Sequence, residues 1–181
     1  MLTTWYVAHR HKQGRAVSEL IVSIEAWRVD DFSFIERLDS RVFGPGRFAR
    51  SAYRLREGGS PEFGLSRLAR IGSMMVGANR MTMIRCGALP ALLLGPLTVE
   101  PAFRDHGIGG KLIVSSLEAA RAAGHGFVLL VGDMPYYGRH GFTPVKPGQI
   151  IMPGPVDPAR LLVCELGEGA FAAASGLVLA A

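Results

Sequence analysis

The spacing of hydrophobic and polar positions changes rhythm several times along the chain. Residues 21–29 alternate apolar and polar, which predicts a first strand. Asp30 or Asp31 then offers an N-cap, and Phe34, Ile35, Leu38 and Val42 recur at helical spacing until Gly44-Pro45-Gly46 stops the run. Residues 47–55 read as a second short helix, closed by 57–61. Two strands are expected at 65–71 and 73–84, turning at Gly72 or nearer Gly77-Ala78-Asn79. Residues 91–99 form a strand interrupted at Gly95-Pro96; proline donates no ladder hydrogen bond, so a break or bulge is expected there. Residues 107–123 form a helix with Ile108, Leu112, Ile113, Leu117 and Ala120 on its buried stripe and Lys111, Glu118 and Arg121 off it. A continuous apolar strand at 127–131, a helical turn at 135–139 and a last strand at 161–166 complete the pattern.

This order predicts an α/β (α+β) sandwich around a mixed sheet, with 91–131 as a right-handed parallel strand–helix–strand crossover. The 181 residues suffice for one domain with a sizeable core, and 49% apolar against 19% charged residues excludes a disordered chain. The longest apolar stretches, 86–99 and 170–181, fall short of the ~20 residues of a membrane-spanning helix. Residues 1–21 read as a basic, loosely attached N-terminal extension, and 168–181 as a peripheral Gly/Ala-rich tail. Neither a secretory leader nor the serine richness of a transit peptide is visible, so a cytoplasmic protein is expected. The net charge is +5, but Arg10, Lys12 and Arg15 account for +3 of it within residues 1–18. The remainder holds seventeen bases against fifteen acids, which argues against a nucleic-acid partner. Cys86 and Cys164 make no disulfide framework and read as buried thiols, and no Cys/His cluster has metal-site spacing.

Chemistry concentrates between Val99 and Leu112. There a glycine-rich turn joins a strand to a helix N-terminus, presenting unobstructed N–H groups and the positive end of a helix dipole. Arg104 and Lys111 can add charge, so a phosphate or pyrophosphate is the natural ligand. A P-loop would need glycine at Asp105 and a hydroxyl residue at Leu112; the dinucleotide fingerprint would need glycine at Leu112. Both motifs fail.

Arg104-Asp105-His106-Gly107-Ile108-Gly109 instead resembles the acyl-CoA pyrophosphate loop of the GNAT superfamily of N-acyltransferases. The strand end Leu97-Thr98-Val99-Glu100-Pro101 before it and Tyr137, separated by three residues from Gly141-Phe142, fit the same family. Leu94-Gly95-Pro96-Leu97, Gly132-Asp133, Tyr136-Tyr137-Gly138-Arg139 and Pro153-Gly154-Pro155-Val156 are similar to its YhbS-like branch. The resemblance spans roughly 21–167, with residues 22–167 as the acetyltransferase domain. It implies a mostly antiparallel mixed sheet flanked by helices on both faces, whose fourth and fifth strands, 91–99 and 127–131, splay apart. The pantetheine arm of acetyl-CoA would enter that gap beside Leu97, Thr98 and Val99. The pyrophosphate would meet Arg104, Asp105, His106, Gly107, Ile108, Gly109, Gly110 and Lys111. Many relatives carry an asparagine after the fifth strand, where this chain has Gly132-Asp133-Met134-Pro135, so no asparagine contact carries over.

The implied reaction is direct transfer of an acetyl group to a primary amine in a ternary complex, without a metal. Tyr137 is the expected acid for the departing thiolate and also touches the cofactor; adjacent Tyr136 could exchange roles with it. The base stays open between Glu100, Asp133, His140 and water, and the oxyanion donor is a backbone N–H near 95–98. A catalytically silent acyl-CoA-binding or regulatory domain is the alternative. The acceptor is unreadable: Arg41, Arg47 and Arg50 are either a patch for an acidic acceptor or a solvated basic face. An exposed sheet edge or the apolar tail leaves room for a homodimer.

Overall fold

The computed structural model describes residues 3–7, 20–46, 51–57 and 59–181. Its strands are β1 (Thr3–Val7), β2 (Leu20–Ala26), β3 (Arg67–Ile71), β4 (Met74–Cys86), β5 (Leu89–Val99), β6 (Phe127–Val131), β7 (Thr143–Pro144), β8 (Ile150–Ile151), β9 (Leu161–Glu165) and β10 (Gly176–Ala180). Its α-helices are α1 (Phe32–Phe43), α2 (Ser51–Arg54), α3 (Ile108–Ala122) and α4 (Met134–Tyr137). The main sheet runs β1-β2-β3-β4-β5-β6-β9-β7. All of these neighbours pair antiparallel except β5 and β6, which are parallel, so the mixed, mostly antiparallel sheet is as expected.

The long strand β4 is the spine, and its alternation builds a layer on each face. The Asn79 amide donates to the Leu112 carbonyl of α3 at 3.2 Å, while its neighbour Ala78 packs with Trp27 and with Ile35 of α1 on the opposite side. Helices therefore cover both faces. Helix α3 begins with Gly109 and Gly110, each costing about 1 kcal/mol against alanine. Burial of Ile108, Leu112, Ile113, Leu117 and Ala120 outweighs this, at about 1.5–3 kcal/mol for each large aliphatic side chain. The expected stripe of α1 holds at Ile35 and Leu38 but fails at Phe34, which is exposed; buried Asp39 takes its place.

Three further differences stand out. The Gly/Ala-rich tail is integral rather than peripheral, because β10 pairs with β4 and β8, and Phe171, Ala174 and Val178 of the tail are buried. Its composition carries no strand signal, and only pairing with distant partners organises it. Within the expected N-terminal extension, Thr3–Val7 forms an edge strand on β2, and most of the remainder lies outside the described residues. Asp31 precedes α1 without capping it; its carboxylate instead accepts from the Arg28 N–H and pairs with Arg70.

Candidate active site

The cleft beside β5 is built from backbone. Opposite β4, the register jumps from Asn79↔Leu97 to Met81↔Leu94, leaving two residues of β5 against Arg80. The bulge falls on Gly95-Pro96, where Gly95 has φ 131°, a conformation open to glycine. On the other side β5 pairs with β6 only at Leu92↔Val128 and Leu93↔Leu129. Past that point the strands part, and Leu94, Gly95, Pro96 and Leu97 face Val131, Gly132 and Asp133 across a cleft. The Glu100 N–H donates to the Val76 carbonyl at 2.9 Å. Antiparallel alternation from that bond commits Thr98 to β4 and turns the N–H and C=O of Leu97 and Val99 toward the parted edge. Thr98 is fully buried with its hydroxyl on Asp39, so it offers the cleft neither backbone nor side chain.

The turn before α3 holds Asp105 at φ 65° and Gly107 at φ 70°, and these left-handed positions reverse the chain into the helix. In the first turn of α3 the N–H groups of Ile108, Gly109 and Gly110 precede any intrahelical acceptor, and they project from the helix start. His106 Nδ1 lies 2.6 Å from the Arg104 carbonyl, folding the loop on itself. Partial burial holds the Lys111 ammonium below its usual pKa. The glycines have a second reason. A Cβ on Gly109 would collide with the Tyr136 hydroxyl, and one on Gly110 would come within 2.9 Å of the His140 ring. Thus α4 and the turn after it close directly over the start of α3.

Tyr137 lines the cleft at the end of α4. Its ring packs on Phe142 and on Tyr136, with centroids 5.9 and 5.0 Å apart, and occupies the space a side chain on Gly132 would need. Burial pushes its phenol up to about 12, helped by Tyr136 and Asp133 and opposed by Arg160. Tyr136 is more exposed and leans instead on His140, whose pKa burial and Arg139 lower. Asp133 lines the cleft but is well exposed and paired with Arg160 at 3.2 Å. Glu100 is not among the lining residues, and its carboxylate pairs with Arg41. Arg41 is exposed and held in that pair; Arg47 and Arg50 lie outside the described residues.

The cleft, about 840 Å³, continues from β5 to a wall that the sequence reading missed: Trp27, Glu36, Asp39, Tyr53 and Arg80. Asp39 is buried and Arg80 is 9% exposed. One signal was available, an arginine inside the otherwise uncharged run 76–84 of a long strand. Cys86 and Cys164 are buried away from this cleft, and burial pushes the Cys86 thiol up to about 11. Among the described residues no group of three or more His, Cys, Asp or Glu could hold a metal ion, and no helix is long and apolar enough to cross a membrane.

No protein-family model matches the chain. It is 36% identical over 118 residues to an uncharacterized N-acetyltransferase, YjhQ, of Escherichia coli strain K12. That alignment takes in 63% of this chain and 65% of the relative, just under two thirds of its length. Among solved structures, the Escherichia coli GNAT family N-acetyltransferase YhbS in complex with CoA superposes with a TM-score of 0.77, covering 94% of both chains at 22% identity. A Brucella melitensis GNAT family acetyltransferase in complex with acetyl-CoA superposes at 0.57, with 25% identity over 83% of this chain and 97% of that one. With the parted parallel strands, the glycine turn and the nearby tyrosine, these likenesses agree on the fold: the chain has the fold of the GNAT family acetyltransferase structures.

Proposed function

We propose that this protein is an N-acetyltransferase that moves an acetyl group from acetyl-CoA to a primary amine by direct transfer in a ternary complex. One observation carries the reading: Leu97 and the half-buried, protonated phenol of Tyr137 line one cleft where β5 and β6 part, and the chain leaving β5 leads through the glycine turn into the N–H groups at the start of α3. The CoA and acetyl-CoA in the two solved relatives support the choice of donor.

In this reading Leu97 and Val99 pair with the pantetheine amides as an added strand would, and Ile108, Gly109 and Gly110 hold the pyrophosphate, with Arg104 and Lys111 adding charge. The donor supplies a thioester carbonyl. The neutral amine attacks that carbon, a backbone N–H near Leu97 steadies the oxyanion, and the C–S bond breaks as Tyr137 passes its phenolic proton to sulfur. The amine proton leaves to Asp133 or to water. Each of Asp133 and Glu100 pairs with an arginine, and Asp133 is favoured because it lines the cleft where Glu100 does not. Calorimetry with acetyl-CoA and a free-thiol assay over a panel of primary amines test the proposal. The expected results are saturable donor binding and amine-dependent thiol release; no donor affinity at millimolar concentration sinks it.

A further inference from the structure

Arg80 leaves β4 opposite the Gly95-Pro96 bulge, and among the described residues it is the only basic side chain that is buried. Its Nε donates to Thr82 Oγ1 at 3.1 Å and its Nη2 to the Gly59 carbonyl at 2.6 Å, so two uncharged acceptors fix the plane of the guanidinium. Arg41, Arg70 and Arg160 each have a carboxylate within ion-pair reach; among the described residues Arg80 has none. Glu36 and Asp39 of α1 act on it only through space. Nη1 makes no hydrogen bond with any of the described residues. Every fully buried side-chain nitrogen or oxygen among the described residues does have a partner, so Nη1 is the atom that reaches the cleft.

A buried cation held rigidly by neutral groups, with a free edge toward a cavity, is an arrangement that an anion completes. That anion does not belong to the CoA pyrophosphate. Asn79, one residue earlier, points to α3, so Arg80 points away from the helix whose N-terminus would hold the phosphates. Glu36 and Asp39 in the same wall disfavour a simple anion and favour a molecule whose negative group travels with an ammonium or amine. We propose that Arg80 binds an oxyanion on the acceptor, a carboxylate or a phosphate, and that the acceptor is therefore a primary amine carrying such a group. This rests on the acetyl-transfer reading, and it replaces the surface arginines with one buried residue as the determinant of an acidic acceptor.

The test compares aliphatic primary amines, ω-amino carboxylates and aminoalkyl phosphates of matched chain length. For each, kcat/KM is measured by thiol release and affinity by calorimetry on the CoA-saturated protein. Wild type should prefer one of the charged series over the plain amine by about 10- to 100-fold, and the two charged arms tell carboxylate from phosphate. Arg80→Met should abolish that preference through KM while keeping acetyl-CoA affinity and turnover of the plain amine. A loss that is equal for charged and plain amines means a structural role and overturns the proposal. Should Arg80→Met fail to fold, the wild-type panel decides: equal affinity for charged and plain amines overturns it. Donor binding without thiol release from any amine defeats the transferase reading instead, and the calorimetric comparison still judges Arg80.

Discussion

The two halves of the cleft are made of different material. On the proposed donor side, the groups on offer are main-chain ones that β5 and the start of α3 turn outward, and side chains matter mostly by staying small, as at Gly107, Gly109 and Gly132. On the acceptor side the wall is side chain throughout: Trp27 and Glu36 before and on α1, Tyr53 on α2, Arg80 on β4. A backbone site tolerates many sequences but forces glycine and chain order. A side-chain site leaves the backbone ordinary and draws its residues from distant positions. Substitutions on the two sides should therefore differ in kind, the first changing donor affinity or chemistry, the second the choice of amine.

The largest effect is expected at Tyr137, where the halves meet. Tyr137→Phe should lower kcat by about 10²–10⁴-fold with little change in acetyl-CoA affinity, because the phenol acts only as sulfur gains charge. Its pKa of about 12 lies above the ordinary value near 10, so the acid stays protonated through neutral and mildly alkaline pH. The pH profiles of wild type and Tyr137→Phe should then run parallel from pH 7 to 9; a kcat of wild type that falls to the mutant's level within that window removes Tyr137 as the acid. The same shift stabilises the fold fully below pH 10 and is lost as pH rises through 12, so alkaline denaturation of wild type should carry a component that Tyr137→Phe lacks.

Gly107→Glu comes next, with an expected loss of acetyl-CoA affinity on the order of 100-fold by calorimetry. The substitution puts a carboxylate at the helix start and strains φ 70°, which costs a residue with a side chain about 1–2 kcal/mol. No atom lies within 4 Å of the added Cβ, so thermal unfolding should change far less than donor binding.

Asn79→Ala probes what joins the halves. The Asn79 carbonyl accepts from the Arg67 N–H at 3.0 Å and Ser116 Oγ at 3.1 Å, and its amide donates to Leu112. Stranding these buried groups should cost about 1–3 kcal/mol, read as a lower melting temperature. Tyr136→Phe should be the mildest, within about twofold in kcat, because Tyr136 faces the helix start and His140 rather than the parted strands. A large loss there, with Tyr137→Phe silent, moves the acid by one residue.

The same division explains what could be read from the sequence. The stripe of α3, the apolar run 127–131 and the glycine turn repeat local rules of spacing and conformation, and the structure follows them closely. The Gly95-Pro96 bulge was legible for the same reason. Thr98 was not: as a residue of the donor strand it looked available, and only the phase of the ladder with β4 turns it inward. Nothing near Glu100 in the sequence announces its partner Arg41, fifty-nine positions earlier. Arg80 needed both the fold of α1 over β4 and the bulge opposite, and β10 needed partners about ninety residues upstream.

The neighbours Asn79 and Arg80 have a consequence for how such a gene can change. They serve opposite faces of one strand, the first pinning α3 and the second reaching the cleft. Substituting either leaves the other in place. Inserting or deleting a single codon just upstream would exchange the faces, sending an arginine under α3 and an amide into the cleft. Side chains along β4 can therefore be exchanged one at a time, while the number of residues between the Gly72 turn and the bulge must stay fixed.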